Sequence, residues 1–127
     1  MTVAGLGFRA QSSVASLRAA LDAALQNHGT PIILIALATA ADKAHHPALL
    51  QLAAELQLPI TPIHLPQMAR QAATPSIHVP ARYGAHSVAE AAALAAAGPC
   101  ATLLSRRCVS PDRLATAAIA FSENTRP

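Results

Sequence analysis

PIILIALAT, residues Pro31–Thr39, is apolar at almost every position and shows no alternation. A strand with one wet face alternates polar and apolar side chains, whereas a strand covered on both faces reads as a continuous β-rich run. The stretch therefore predicts an inner strand of a sheet with helices on both sides. The longest apolar run, IILIALATAA from Ile32, is also far shorter than the roughly 18 residues that suggest a bilayer span.

Working outward, TVAGLGF (Thr2–Phe8) reads as another buried strand, with two glycines permitting close neighbours. QSSVASLRAALDAALQNHG follows. In it Val14, Leu17, Leu21 and Ala24 recur at helical spacing, Ser12 or Ser13 serves as N-cap, and Gly29 fits the stop. Downstream, Pro47 suits the first turn of PALLQLAAELQ, whose Leu49, Leu52, Ala53 and Leu56 form one stripe. PITPIHL is a third strand, and its prolines place it near an edge. A short helix is expected around Gln67–Ala72, then an irregular loop, then the alanine-rich helix Gly84–Gly98. Ala101–Ser105 and Leu114–Phe121 are two last strands. The short, turn-like RRCVSPDR between them makes that pair antiparallel. The expected fold is α/β: a three-layer α/β/α sandwich with a mixed, mostly parallel five-stranded sheet and a C-terminal antiparallel hairpin, in one domain over residues 1–127.

Composition narrows the function. At 53% hydrophobic and 12% charged, the 127-residue chain is far from disordered composition. Aromatics amount to Phe8, Tyr83 and Phe121, too few for base-stacking platforms. The net charge of +3 is spread out, with Arg106-Arg107 the one adjacent basic pair. No nucleic-acid or membrane partner is therefore expected, and a small anionic ligand suits the charge better. No charged segment precedes a signal-like apolar core, which points to the cytoplasm. Cys100 and Cys108 are read as free thiols.

Several motifs resolve into ordinary roles. Gly5-Leu6-Gly7-Phe8-Arg9-Ala10 fits a relaxed dinucleotide fingerprint, but its glycines fall inside the strand and no acid follows about 20 residues later. The six histidines and two cysteines lack paired ligand spacing, so no metal is expected. No serine sits in a nucleophile elbow. Ser87-Val88-Ala89-Glu90 is a capping box, in which Glu90 helps to start its helix.

What remains is a set of strand-exit and helix-entry loops. Arg9 with Ser12 and Ser13 leads into a helix N-terminus, whose free N–H groups and dipole favour an anion. ATAADKAHHP (Ala38–Pro47) carries Asp42, Lys43 and His45 beyond a second strand, with Asp42 or His46 able to cap the next helix. Tyr83, Gly84, His86 and Ser87 precede the alanine helix. Ligand sites in α/β sheets form beyond strand C-termini.

VAGLGFRAQSS, LATAADKAHHPALLQLAAELQLPI, TPS, GAHSVAEAAALAAAG and ATAAIAF occur in that order over almost the whole chain. Together they resemble the CobE family, which is also the C-terminal domain of CbiG, of cobalamin biosynthesis. The specific parts are the G-x-G-x-R start, A-T-x-x-x-K and S-V-A-E-A-A-A-L. The sequence departs from the family's pattern in Phe8, where a Cys is usual, in Gln11, where Gly or Ser-rich text is usual, and in Ser105-Arg106-Arg107, where a lysine-bearing stretch is usual. Arg9 is kept. The resemblance implies a role in corrin-ring construction, by binding or handing on a carboxylate-rich precorrin, with other cobalamin-pathway enzymes as partners and no cofactor.

The expected ligand-binding set is Arg9, Ser12, Ser13, Thr39, Lys43, Ser76, Gly84 and Ser87, with Arg106 adding charge nearby. In its two-domain form the family is similar to a cobalt-precorrin-5A hydrolase, which opens a ring δ-lactone and releases acetaldehyde. The alternative is thus a stand-alone hydrolase acting on a lactone or acetyl group, with His86 or Glu90 as general base.

Overall fold

The computed structural model describes residues 2–26, 32–64, 88–98 and 101–122. Strand β1 is Thr2–Phe8, helix α1 is Val14–Leu25 and strand β2 is Ala36–Ala40. A short 3-10 turn, Ala41–Lys43, leads to helix α2, Pro47–Leu56, and strand β3, Ile60–Ile63. Helix α3 is Val88–Ala97, and strands β4 (Thr102–Val109) and β5 (Ala115–Phe121) close the fold.

The five strands form one sheet in the order β3-β2-β1-β5-β4. β1, β2 and β3 are mutually parallel; β5 is antiparallel to both β1 and β4. Four of the five strands therefore run one way, with β5 reversed between β1 and β4. Because parallel crossovers are right-handed, stepping outward from β1 through β2 to β3 puts α1 and α2 on the same face. There Leu17, Leu21, Leu49 and Leu52 pack on Ala4, Leu6, Leu37, Ala117 and Ile119. α3 covers the opposite face, against Val3, Ala38, Ala40, Ile63 and Ala120. The result is the expected three-layer sandwich with a C-terminal hairpin.

The helix ends follow their local chemistry. Ser13 caps α1, its hydroxyl accepting the N–H of Ser16 at 3.2 Å. Pro47 sits in the first turn of α2, where a missing N–H costs nothing, and His46 is the N-cap. Gly98, at φ 102°, ends α3 in a conformation that side chains resist. α1 closes at Leu25 with Gln26 as its C-cap, and the expected stop at Gly29 lies outside the described residues. So do the expected helix at Gln67–Ala72 and residues 84–87 of the alanine helix.

Two boundaries differ from expectation. The expected strand Pro31–Thr39 narrows to Ala36–Ala40, and Ile33 is 81% exposed. The Thr2 carbonyl, at the first residue of β1, accepts the Ile35 N–H at 3.0 Å, next to the start of the β1–β2 ladder at Val3–Ala36. β4 is also longer than Ala101–Ser105: it takes in Arg106, Arg107 and Cys108, which read as turn residues. Two register irregularities, between Leu103 and Ser105 and between Ser105 and Cys108, let this polar stretch stay paired to β5.

Gly5 shows why the glycines lie inside β1. A Cβ there would stand 2.0 Å from the Ala89 carbonyl oxygen and 2.6 Å from the Ala93 nitrogen. The alanine helix thus rests directly on the strand backbone, and the G-x-G pattern serves packing rather than a phosphate loop.

Candidate functional site

The C-terminal ends of β1 and β2 lie side by side, and the loops leaving them are stitched together. From the second loop, Lys43 donates its ammonium to the Phe8 carbonyl oxygen at 2.6 Å, with its nitrogen 5.6 Å from the Phe8 ring centroid. His46 stacks edge-on against the same ring at 5.0 Å. Its Nδ1 accepts the Ala48 N–H at 3.1 Å, so its Nε2 carries the proton and donates to the Ala10 carbonyl at 2.7 Å. Phe8, the departure from the usual Cys, is thereby a buried hub between Lys43 and His46. Of the two residues able to cap α2, His46 does so.

The first loop is also tied to the β4–β5 turn. The Arg9 N–H points to the Leu114 carbonyl at 3.0 Å and to the Ser12 hydroxyl at 3.2 Å. Ser12 in turn donates to the Leu114 carbonyl at 2.7 Å. These bonds fix the backbone and leave the Arg9 side chain exposed. Thr39 is fully buried and donates to the Leu6 carbonyl at 2.8 Å across the parallel strands.

Of the expected binding set, then, Arg9 and Lys43 bring charge to one edge. Ser12, Ser13 and Thr39 spend their hydroxyls on holding that edge together. Ser76, Gly84, Ser87 and His86 lie outside the described residues.

Sequence reasoning missed Asp112. Its carboxylate accepts from the Ser110 hydroxyl at 2.5 Å, from the Ser16 hydroxyl, and from the Leu114 N–H at 3.1 Å. These bonds, the one from Ser110 foremost, hold its carboxyl below the usual carboxylate value. Ser16 is in the first turn of α1, so the positive end of that helix already meets an internal carboxylate. The expected anion site at the start of α1 is thus met by Asp112 of this chain, through the Ser16 hydroxyl. Nothing in the local pattern of SPD announces a partner 96 residues away.

The start of α3 approaches the same edge from the other face: Val88 lies against Gly7, near the end of β1. Two residues on, Glu90 is fully buried, and its Oε2 accepts the Arg107 N–H at 3.0 Å. Glu90 thus reaches across to β4, beyond the helix-starting role read from the sequence. The Ser87 half of that capping box lies outside the described residues. Among the described residues no three His, Cys, Asp or Glu side chains gather as metal ligands, and no helix is long and apolar enough to cross a membrane.

Residues 2–120 match the family model described as cobalamin synthesis G C-terminus. The crystal structure of CobE, a protein from the cobalamin (vitamin B12) biosynthetic pathway, is 34% identical with a TM-score of 0.82. The match covers 94% of this chain and 89% of that one. A cobalamin biosynthesis protein chiG from Agrobacterium tumefaciens str. C58 is 35% identical with a TM-score of 0.74, over 97% and 99% of the two chains. A cobalamin biosynthesis protein G homologue from Sulfolobus solfataricus shares the fold at 18% identity and a TM-score of 0.70. This chain is matched over 96% of its length there, and that longer chain over 37%. No curated protein matches the sequence.

Proposed function

We propose, from the premise that this chain belongs to the cobalamin synthesis G C-terminus family, that it binds a carboxylate-rich precorrin and hands it on during corrin-ring construction in the cytoplasm. The observation that carries this reading is the joined edge of β1 and β2, where Lys43 and His46 lock two strand-exit loops against Phe8 and Arg9 stands exposed beside them. A rigid edge bearing dispersed positive charge suits a ligand whose carboxylates are distributed around a ring. The burial of Glu90 favours a binding role over a hydrolase with Glu90 as base. Glu90 is removed from solvent and engaged with a main-chain N–H.

Spectrophotometric titration with cobyrinic acid, a corrin whose side chains are free carboxylates, tests the reading. Arg9→Ala is expected to weaken binding roughly ten- to a hundredfold, as for a lost charged hydrogen bond. Arg18→Ala removes the same charge from a surface pair with Glu55 and is expected to leave affinity unchanged. Equal affinity for wild type and Arg9→Ala at low and high salt excludes the electrostatic site. Release of acetaldehyde from a lactone-bearing precorrin turns the conclusion toward the hydrolase.

A further inference from the structure

The turn between β4 and β5 holds an arginine at a position that suits glycine. In Ser110-Pro111-Asp112-Arg113 the Arg113 N–H donates to the Ser110 carbonyl at 2.9 Å, which closes a four-residue turn. Serine at the first place and proline at the second favour such a turn, and glycine is favoured at the fourth. Arg113 takes that fourth place at φ 62°, in the left-handed region that a Cβ resists.

The surrounding bonds impose this conformation. Beyond the bond to Ser110, the Leu114 N–H is held by the Asp112 carboxylate at 3.1 Å and the Leu114 carbonyl by the Arg9 N–H at 3.0 Å. The Ser12 hydroxyl adds a second bond to that carbonyl at 2.7 Å. None of these bonds uses the Arg113 side chain. Glycine would therefore build the same turn without strain.

The turn also lies at the right end of the sheet. Phe8, the last residue of β1, pairs with Ala115, the first of β5, so Arg113 sits two residues from the exit of β1. The chains carrying Arg9 and Leu114 are about 5 Å apart, one strand spacing. Arg9 and Arg113 are both exposed, and neither side chain makes a hydrogen bond or ion pair among the described residues. The acid of the turn, Asp112, is occupied by the Ser16 and Ser110 hydroxyls. Two cations thus leave adjoining backbones with no described carboxylate answering either.

We propose that Arg113 is a specificity-determining residue of the site: its guanidinium meets one carboxylate arm of the ligand, while the neighbouring loop of Arg9 meets another. This rests on the polycarboxylate reading above. The planar fork of an arginine grips a carboxylate through two parallel N–H bonds, which a turn pinned on both sides of Arg113 can present without first being ordered. Strained residues of this kind persist where the surroundings over-determine them, and they gather at ligand clamps.

The experiment separates the side chain from the backbone. Wild type, Arg113→Gly, Arg113→Ala and Arg113→Lys are titrated spectrophotometrically with cobyrinic acid, and with the same corrin whose side-chain carboxylates are amides. A melting temperature is measured for each. Arg113→Gly is expected to melt no lower than wild type, because glycine accepts the positive φ. It should nevertheless bind the acid roughly ten- to a hundredfold more weakly and leave the amide unchanged. Arg113→Ala should lose the same affinity but melt below Arg113→Gly, since it keeps the Cβ. Arg113→Lys, a point charge without the fork, should fall between wild type and Arg113→Ala in affinity. Wild-type affinity for the acid in Arg113→Gly, or equal losses for acid and amide, overturns the proposal. So does a melting temperature for Arg113→Gly below that of Arg113→Ala, which removes the strain. When Arg9→Ala still weakens binding, such a result leaves the polycarboxylate site standing; no binding by wild type overturns both.

Discussion

Lys43 holds the carbonyl oxygen of Phe8 at 2.6 Å and lays its charge against the ring of the same residue. One side chain from the turn after β2 thus fastens the end of β1 twice. A hydrogen bond to a charged group is worth about 1.5–3 kcal/mol, and a cation over an aromatic face adds about 0.5–1 kcal/mol near the surface. Lys43→Met keeps much of the length and removes the charge. It is expected to lower the unfolding free energy by about 2 kcal/mol in urea titrations; an unchanged midpoint would show that the fastening contributes nothing to stability.

Gly5 carries α3 on its backbone, so Gly5→Ala should be severe. The added methyl meets main-chain atoms, which cannot rotate away. Overpacking typically costs about 1–3 kcal/mol, and a backbone clash belongs at or above the top of that range. Gly7→Ala, facing the Thr116 hydroxyl at 2.9 Å and Val88 at 3.2 Å, is expected to cost less because side chains can shift. Melting temperatures in the order wild type, Gly7→Ala, Gly5→Ala check this; the reverse order contradicts it.

His46 combines a helix cap, a tether to Ala10 and a ring contact. Loss of an N-cap alone costs about 0.5–2 kcal/mol. His46→Asn, whose amide oxygen can still cap α2, is expected to be more stable than His46→Ala, with both below wild type. Equal stabilities for the two variants would mean that the cap carries no weight.

Acid should weaken the protein partly through Asp112. Its carboxyl titrates below the ordinary value of 3.8 because Ser110, Ser16 and the Leu114 N–H bond the charged form. A carboxylate whose folded value is depressed contributes stability above the unfolded value, and that contribution fades as pH falls through the folded value. Asp112→Asn should therefore lose less stability than wild type between neutral pH and about pH 3. Denaturant midpoints measured at both pH values decide the point, and parallel losses would exclude Asp112 as a source of the acid limb.

The loops of the site are legible as loops in the amino-acid sequence, because Arg9 and Lys43 follow buried runs and precede capped helices. Their joint geometry is not, since it depends on Phe8. In sequence Phe8 is one more apolar residue at a strand end. In the fold its carbonyl and ring receive Lys43, and its ring receives His46.

Periodicity and end chemistry alone determined the order of elements and most of what each one buries. The spacing of Leu17, Leu21 and Ala24, the capping Ser13, the first-turn Pro47 and the closing Gly98 all act through neighbours within a turn or so of the chain. The non-alternating run before Thr39 likewise implied a sheet covered twice. Only the tertiary structure decided that β4 extends through Arg107 on irregular register, that Asp112 serves the start of α1, and that Glu90 holds a strand as well as belonging to a helix. Those outcomes depend on which distant groups the packed layers bring within hydrogen-bond reach. A local pattern reports which way a residue faces, but not what it will meet there.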